Sequence, residues 1–518
     1  LEHKLWGLNP AGYHITNILL HIINSLLLWR LLRLLDVPGA WLAAAIFALH
    51  PVQVESVAWI TERKNVLMTF FFFLSLLAWV CGTGFQPVNA RPGWPCHMFY
   101  FLSLGLYALA LFSKTTACTL PAALVLILWI KRIPIDKSRR LQIAPFVVLG
   151  LAMGIFVVWW EHHLQGTGRL KLGLNPVERL LLAARALWFY VGKLLWPTKL
   201  TFSYPKWDIS WTQPVQYLWL IACAIVGWCM WRWRERLGRR VIAGVVFFIA
   251  TLSPMLGFIP LYTFRYTYVA DHYQYVASAG LIAIVAALGY RAAAKIRILP
   301  IVAAAILAGY GVLTWQQCYV YGSMETLWRD TLAKHPNSWM AYNNLGRELK
   351  SQGRIIEAID CYHRALKIKP DHANAYYNLG IAYDKLGCYN DAVDAYKQTA
   401  EIEPNDAEAY YRVGVACDKA GRYNEAVEAF KQAVGIRPDY AEALSNLGVA
   451  YGKLGLYAEA INACKQAVGV RPDYAAAHYN LGLAYFRAGD RNSALNECKI
   501  LKALDPQEAK NLLNLIQP

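Results

Sequence analysis

The chain has 518 residues, 57% of them hydrophobic and only 16% charged, against about 25% charged in an ordinary soluble domain. Its net charge of +17 lies wholly in the first 333 residues, with 29 Lys and Arg against 12 Asp and Glu, while the remainder balances 22 against 22. That excess falls in short loops between apolar blocks, where positive-inside bias places it, so no soluble basic face is left for nucleic acid. Eleven cysteines form no CxxC pair and no Cys/His metal spacing, which argues against a disulfide framework or a structural zinc site.

Apolar blocks long enough to cross a bilayer are predicted near 14–35, 38–58, 65–82, 97–113, 117–131, 141–160, 215–232, 241–260, 274–290 and 298–315. The connections 131–140, 232–240 and 291–297 are basic, so each is expected on the cytoplasmic side. Alternation then places 1–13, 59–64, 113–116, 161–214 and 261–273 outside, along with everything after the last span. Residues 178–196 are apolar and helical in pattern, yet a crossing there would misplace the basic loop that follows. They read as an interfacial helix, with Trp188, Tyr190, Lys193 and Trp196 suited to the headgroup region. A transporter would show inverted repeats or interrupted spans, and neither is visible.

Beyond about residue 316 the pattern changes. Prolines fall at 336, 370, 404, 438, 472 and 506, every 34 residues. Leu-Gly, or Val-Gly at 413–414, recurs at 345, 379, 447 and 481, and alanine recurs at 358, 392, 426, 460 and 494. This is the 34-residue helix–turn–helix signature of tetratricopeptide (TPR) repeats. Small Gly and Ala suit close helix approach, Tyr362, Tyr396 and Phe430 fill the space between repeats, and Pro ends each second helix. The fold class is thus all-α, a polytopic transmembrane bundle followed by a TPR solenoid. The predicted organisation is a membrane domain over 1–316, a linker helix over 317–336, five repeats over 337–506 and a capping helix over 507–518. The repeats are expected to bind a protein or peptide in their concave groove. The alternative reading is a purely architectural arm.

Ionisable residues near a bilayer are costly and mark function. Those expected on the outer face are few: His50, Glu55, Arg63, Lys64, Lys114, Arg265, Asp271 and His272. Arg63, Lys114 and Arg265 suit a phosphate, because guanidinium and ammonium groups bind its oxygens strongly. Asp271 and His272 suit proton transfer, a metal or a sugar hydroxyl. The competing view is that the cations snorkel and Asp271 merely pairs with Arg265.

Several motifs fall in a familiar order. Asn9-Pro10-Ala11-Gly12-Tyr13-His14 leads into a span with Asn17 and His21. His50-Pro51 precedes Glu55-Ser56-Val57-Ala58-Trp59 and Glu62-Arg63-Lys64. Ser113-Lys114, Tyr204-Pro205 and Tyr268-Val269-Ala270-Asp271-His272-Tyr273 follow, then the TPR tail. Together they resemble bacterial relatives of the transmembrane-and-tetratricopeptide O-mannosyltransferases, within the C-type glycosyltransferase superfamily. The resemblance implies inverting transfer of a sugar from a polyprenyl-phosphate donor to an acceptor hydroxyl on the outer face, with a divalent metal as one option. It also implies an acidic residue in a first external loop. The start of this chain resembles the end of that loop, so the N-terminal span and its acid are expected to be missing, which leaves Asp271 as the candidate catalytic group. Arg63, Lys114 and Arg265 are the candidate donor-phosphate residues, with His50, Glu55 and His272 in support. The expected setting is a bacterial inner membrane with the repeats in the periplasm. The alternative function is a non-catalytic, membrane-anchored scaffold.

Overall fold

The structure is a computed structural model that describes residues 6, 7, 9–82, 96–163, 173–259, 262–293, 296 and 298–517. Among them there are helices and turns but no strand. The chain divides into two compact units, Leu1–Pro336 and Asn337–Pro518.

The first unit contains α1 (Pro10–Leu34), α2 (Ala40–Leu49), α3 (Val54–Ala58), α4 (Arg63–Gly82), α5 (Cys96–Ser113), α6 (Leu120–Ile130) and α7 (Lys137–His163). There follow α8 (Pro176–Leu195), α9 (Tyr217–Arg232), α10 (Arg234–Leu252), α11 (Ser278–Ala293), α12 (Leu299–Val320) and α13 (Met324–Lys334). Six helical stretches among the described residues are long and apolar enough to cross a membrane. They are Pro10–Leu34, Ile60–Gly82, Lys137–His163, Pro214–Arg232, Arg234–Met255 and Leu299–Val320. Three shorter apolar helices and one bent pair fall where the other expected spans lie. The chain is an integral membrane protein.

The bent pair is a break that the hydropathy of residues 38–58 conceals. α2 and the following Pro51–Ala58 stretch meet at 54°. Pro51 has no N–H to continue α2 and pushes His50 into an extended conformation (φ −73°, ψ 125°). His50 then caps the next turn, its Nδ1 accepting from the Val52 N–H at 3.3 Å.

Packing between these helices leans on polar contacts, because lipid offers no hydrophobic drive for helices to associate. Ser75 of α4 and Ser103 of α5 each donate to the other's carbonyl at 2.8 Å. On α1, Asn24 donates to the Val66 carbonyl at 2.9 Å, and His21 lies 2.6 Å from the Tyr275 hydroxyl. Around this seam Phe47, Phe72, Trp79, Tyr107, Phe146 and Tyr275 form a buried aromatic core. α8 starts with a capping box between Asn175 and Glu178. It buries Leu181, Leu182, Ala186, Tyr190 and Leu194 while Leu195 and Trp196 stay exposed. α13 buries Leu327 and Trp328, and its Lys334 donates to the Leu200 carbonyl at 2.6 Å. The segment around Leu200–Tyr204 is thereby fixed from both sides.

The second unit consists of five helix pairs and a terminal helix, Pro506–Ile516. Gly353, Gly387, Gly421, Gly455 and Gly489 join the two helices of successive pairs at φ between +77° and +88°, a backbone that side chains disfavour. A Cβ at Gly346, Gly380 or Gly414 would lie 2.6 Å from the ring of Tyr362, Tyr396 or Phe430. The Leu-Gly pairs are therefore where the helices of one repeat touch. Each proline after a second helix stands two residues beyond its end. The last, Pro506, opens the terminal helix under the Asp505 cap.

Candidate functional site

The short α3, the start of α4, the end of α5 and the turn before α11 bring Glu55, Glu62, Lys114, Asp271 and His272 close together. Glu55 on α3 is 2% exposed. Its Oε1 lies 2.8 Å from His272 Nδ1 and its Oε2 accepts the His272 backbone N–H at 2.9 Å. A carboxylate against Nδ1 makes that nitrogen the N–H donor. His272 Nε2 then points toward Glu62, at 3.9 Å. Glu62, equally buried, accepts from Asn65 at 2.6 Å, and faces Lys64 at 3.1 Å and Lys114 at 3.6 Å. Asn65 closes the network by accepting from Lys114 at 2.5 Å and donating to the His272 carbonyl at 3.2 Å. Burial pushes the Lys114 ammonium down to about 8 against the pull of Glu62 and Glu55. Asn65, Lys114, His272 and Tyr273 border a void of about 20 Å³, which has room for a water.

Beside this network Asp271 stands apart, 3% exposed. Both its carboxyl oxygens accept from the Tyr204 hydroxyl, at 3.0 and 2.9 Å. Burial, then repulsion from Glu55, holds the Asp271 carboxyl well above the usual carboxylate range. Lys193, the Tyr204 hydrogen bond and Lys334 offset only part of that rise. Lys193 lies over the Tyr204 ring, 5.2 Å from its centroid, and donates to the Thr198 carbonyl at 2.7 Å. Burial and Asp271 together push the Tyr204 hydroxyl well above its ordinary value. A carboxyl raised in this way holds a proton more tightly than a free one, which as its carboxylate makes it a stronger base. Three residues on, Gln274 is fully buried, and neither of its amide atoms has a partner among the described residues.

The structure therefore brings Glu55, His272 and Lys114 into one network and sets Asp271 next to it. Arg63 faces elsewhere: its Nε donates to Asn17 Oδ1 and its Nη2 to the Tyr13 carbonyl, both at 2.8 Å. His50 donates from Nε2 to the Leu194 carbonyl at 3.0 Å. It borders an apolar groove between α2, α8, α11 and α12 rather than the network. The side chain of Arg265 lies outside the described residues. Asp271 meets Tyr204. Sequence reasoning placed Glu62 and Tyr204 only within motifs and Lys193 only at the headgroups, and gave Asn65 no role. Tyr204 and Lys193 lie far from Asp271 in sequence, and the Tyr204-Pro205 motif and the interfacial helix did not say what they would meet. Among the described residues no three His, Cys, Asp or Glu side chains are grouped to hold a metal ion.

Fold and network together define an integral membrane protein that carries a buried acid–base cluster and a TPR array. Models of the TPR family match residues 346–387, 417–455 and 453–489, and a second tetratricopeptide-repeat model matches 373–406. The protein O-mannosyl-transferase F38B6.6 of Caenorhabditis elegans is 24% identical over 396 residues, 72% of this chain and 53% of the relative. Human protein O-mannosyl-transferase TMTC1 is 25% identical over 427 residues, 71% of this chain and 47% of the relative. The mouse protein O-mannosyl-transferase TMTC2 is 39% identical over 111 residues, 21% of this chain and 13% of the relative. A match over some 70% of the chain exceeds what residues 337–518 hold, so the likeness extends into the membrane unit. The chain is similar to these protein O-mannosyl-transferases over its membrane unit as well as its repeats. It spans about half the length of the relatives that it matches most extensively.

Proposed function

We propose that this protein is a membrane glycosyltransferase that moves a sugar from a polyprenyl-phosphate donor to a hydroxyl of a protein or glycan acceptor, on the non-cytoplasmic face of a bacterial inner membrane. The observation that carries this reading is Asp271. It is a buried carboxyl, held well above the usual carboxylate range, bonded to Tyr204 and set among cations at the helix ends, in a chain similar to O-mannosyl-transferases. As its carboxylate, Asp271 takes the proton of the acceptor hydroxyl while that oxygen attacks the sugar's anomeric carbon. The bond from that carbon to the phosphate oxygen breaks, and polyprenyl phosphate leaves with the electron pair. Lys114 neutralises the phosphate, exchanging Glu62 and Asn65 for its oxygens. Glu55 and His272 hold the loop that positions Asp271. The apolar groove of about 780 Å³ between α2, α8, α11 and α12, with His50 at its border, suits the lipid tail. The TPR repeats take the acceptor or a partner protein.

The test uses membranes that contain the full-length protein, with radiolabelled polyprenyl-phosphate sugars. Replacing a general base costs on the order of 10²- to 10⁴-fold, so Asp271→Asn should lose most transfer while Asp271→Glu recovers part. Lys114→Ala should act chiefly through a higher KM for donor. Wild-type rates in Asp271→Asn would remove Asp271 from the mechanism.

One observation favours a second reading, a membrane-anchored scaffold. Glu55, Glu62, Asn65, Lys114 and His272 satisfy one another, as a purely structural knot must. No transfer from any donor, with a partner still retained on the repeats, would decide for that reading.

A further inference from the structure

The opposite end of the helical bundle carries a second site. α1 binds Arg63 through Asn17 near its start, and its last turns, at Leu31, Leu32 and Leu35, border a cavity of about 420 Å³. Fifteen residues of helix separate Asn17 from Leu32, about 22 Å. Ile127 of α6, Phe247 of α10 and Leu288 of α11 complete apolar walls. Gly244 and Gly280 also border the cavity, and a Cβ on Gly280 would stand 2.4 Å from the Gly244 carbonyl oxygen. α10 and α11 are thus in backbone contact there. Gly238, at φ +75° and ψ 160°, breaks the start of α10, and Arg236 and Arg239 on either side of it both reach the cavity.

Arg132, Arg236, Arg239, Arg240 and Arg291 line the cavity, and among the described residues no acidic one does. Arg239 donates to the Trp129 carbonyl at 3.0 Å and Arg240 to the Leu35 carbonyl at 3.2 Å. These bonds tie the two arginines to the C-terminal ends of α6 and α1. Asp36, outside the cavity, is held by Lys131 at 2.8 Å and Arg240 at 3.9 Å. The guanidinium groups of Arg132, Arg236 and Arg291 have no hydrogen-bond or ion-pair partner among the described residues. Membrane topology alone needs basic residues somewhere in these loops, and Arg139, Arg140, Arg232 and Arg234 meet that need without bordering the cavity. An apolar chamber with unpaired guanidinium forks fits one chemistry, an acyl chain joined to a phosphate.

We propose that this cavity holds an anionic phospholipid of the surrounding bilayer, with an acyl chain between α1, α6, α10 and α11 and its phosphate among Arg132, Arg236 and Arg291. The site is independent of the transferase reading. The experiment is native mass spectrometry of the full-length protein released from nanodiscs of equal phosphatidylglycerol and phosphatidylcholine. The wild type should retain phosphatidylglycerol preferentially. Because each basic residue near an anionic headgroup strengthens binding several-fold, Arg236→Gln with Arg291→Gln should cut that preference about tenfold. Arg139→Gln with Arg140→Gln should leave it unchanged. Ala287→Trp, which fills the chamber but spares every arginine, should also lower retention. Equal retention of the two lipids overturns the proposal, and so does equal loss in both arginine pairs, which marks general surface charge. Unchanged retention in Ala287→Trp overturns insertion of the chain.

Discussion

The two units handle charge in opposite ways. In the repeats, charged side chains lie at the surface and pair along one helix or between neighbouring repeats. Lys419 meets Asp384 at 2.7 Å and Lys453 meets Asp418 at 2.8 Å, in the same register 34 residues on. At the candidate site of the membrane unit, charges are buried and joined across long stretches of chain, as His272 to Glu55 and Tyr204 to Asp271. Water screens the first kind, and each pair is worth little. The second kind has no water to fall back on, so every partner counts. Stability in the repeats comes from shape repeated five times. In the membrane unit it hangs on single polar contacts.

The largest expected effect follows directly. Glu55→Ala removes both acceptors of His272 and leaves a buried donor pair unanswered. Losing one partner of a buried, hydrogen-bonded pair costs about 3 kcal/mol, and SDS-induced unfolding in mixed micelles should register it. Glu55→Gln keeps an acceptor for the His272 backbone and should lose less. A loss within 0.5 kcal/mol, roughly the noise of surface substitutions, would mean that the network is relaxed by water. Next in size comes Gly380→Ala in the repeats. The added methyl would meet the Tyr396 ring at 2.6 Å, and overpacking of this kind costs about 1–3 kcal/mol. Hydrogen exchange should show the loss in the helices of that repeat and its neighbours, because solenoid contacts are local. Loss spread evenly over all five repeats would contradict that locality.

These two substitutions also mark where the sequence was legible. Gly380 announces itself, since the same residue recurs at 34-residue spacing with an aromatic partner sixteen positions on. Helices, turns and boundaries of the repeats follow from that period. The ten apolar blocks were equally plain, since hydropathy needs only local composition. The break at His50 was not, because both halves of 38–58 are apolar and the bend depends on one proline. The candidate site was readable as a set of residues but not as a set of partners. Asp271 and Lys114 stand out because acids and cations are rare there. Nothing local says that Asp271 meets Tyr204, or that Asn65 ties Lys114 to His272, for those contacts arise only when distant helix ends are brought together.

A subtler test concerns protons. Lys193 offsets part of the rise that burial and Glu55 impose on Asp271. Lys193→Gln removes that help, so Asp271 should hold its proton to higher pH. If the carboxylate is the working base, the acidic limb of kcat/KM for sugar transfer must move up in pH. Stability has the matching sign. A carboxyl raised in the folded state favours folding below its unfolded value, and that contribution fades as pH rises through the folded one. Lys193→Gln should extend that window upward. A limb that stays put or moves down would show that Asp271 is not the group that titrates.

The smallest effect is the sharpest check on the contrast itself. Lys453→Gln breaks the pair with Asp418 across neighbouring repeats, at a site where the side chains keep 38% and 24% of their surface in water. Exposed pairs of this kind contribute about 0–1 kcal/mol, and salt at physiological strength screens them further. The change in unfolding should therefore stay below about 0.5 kcal/mol and shrink as salt is added. The partner Lys419→Gln, one repeat earlier, should behave alike, and the double variant should be additive because the two pairs share no residue. Non-additive loss would mean that the register of bridges couples repeats beyond nearest neighbours. The repeats would then depend on particular ionic contacts much as the membrane unit does.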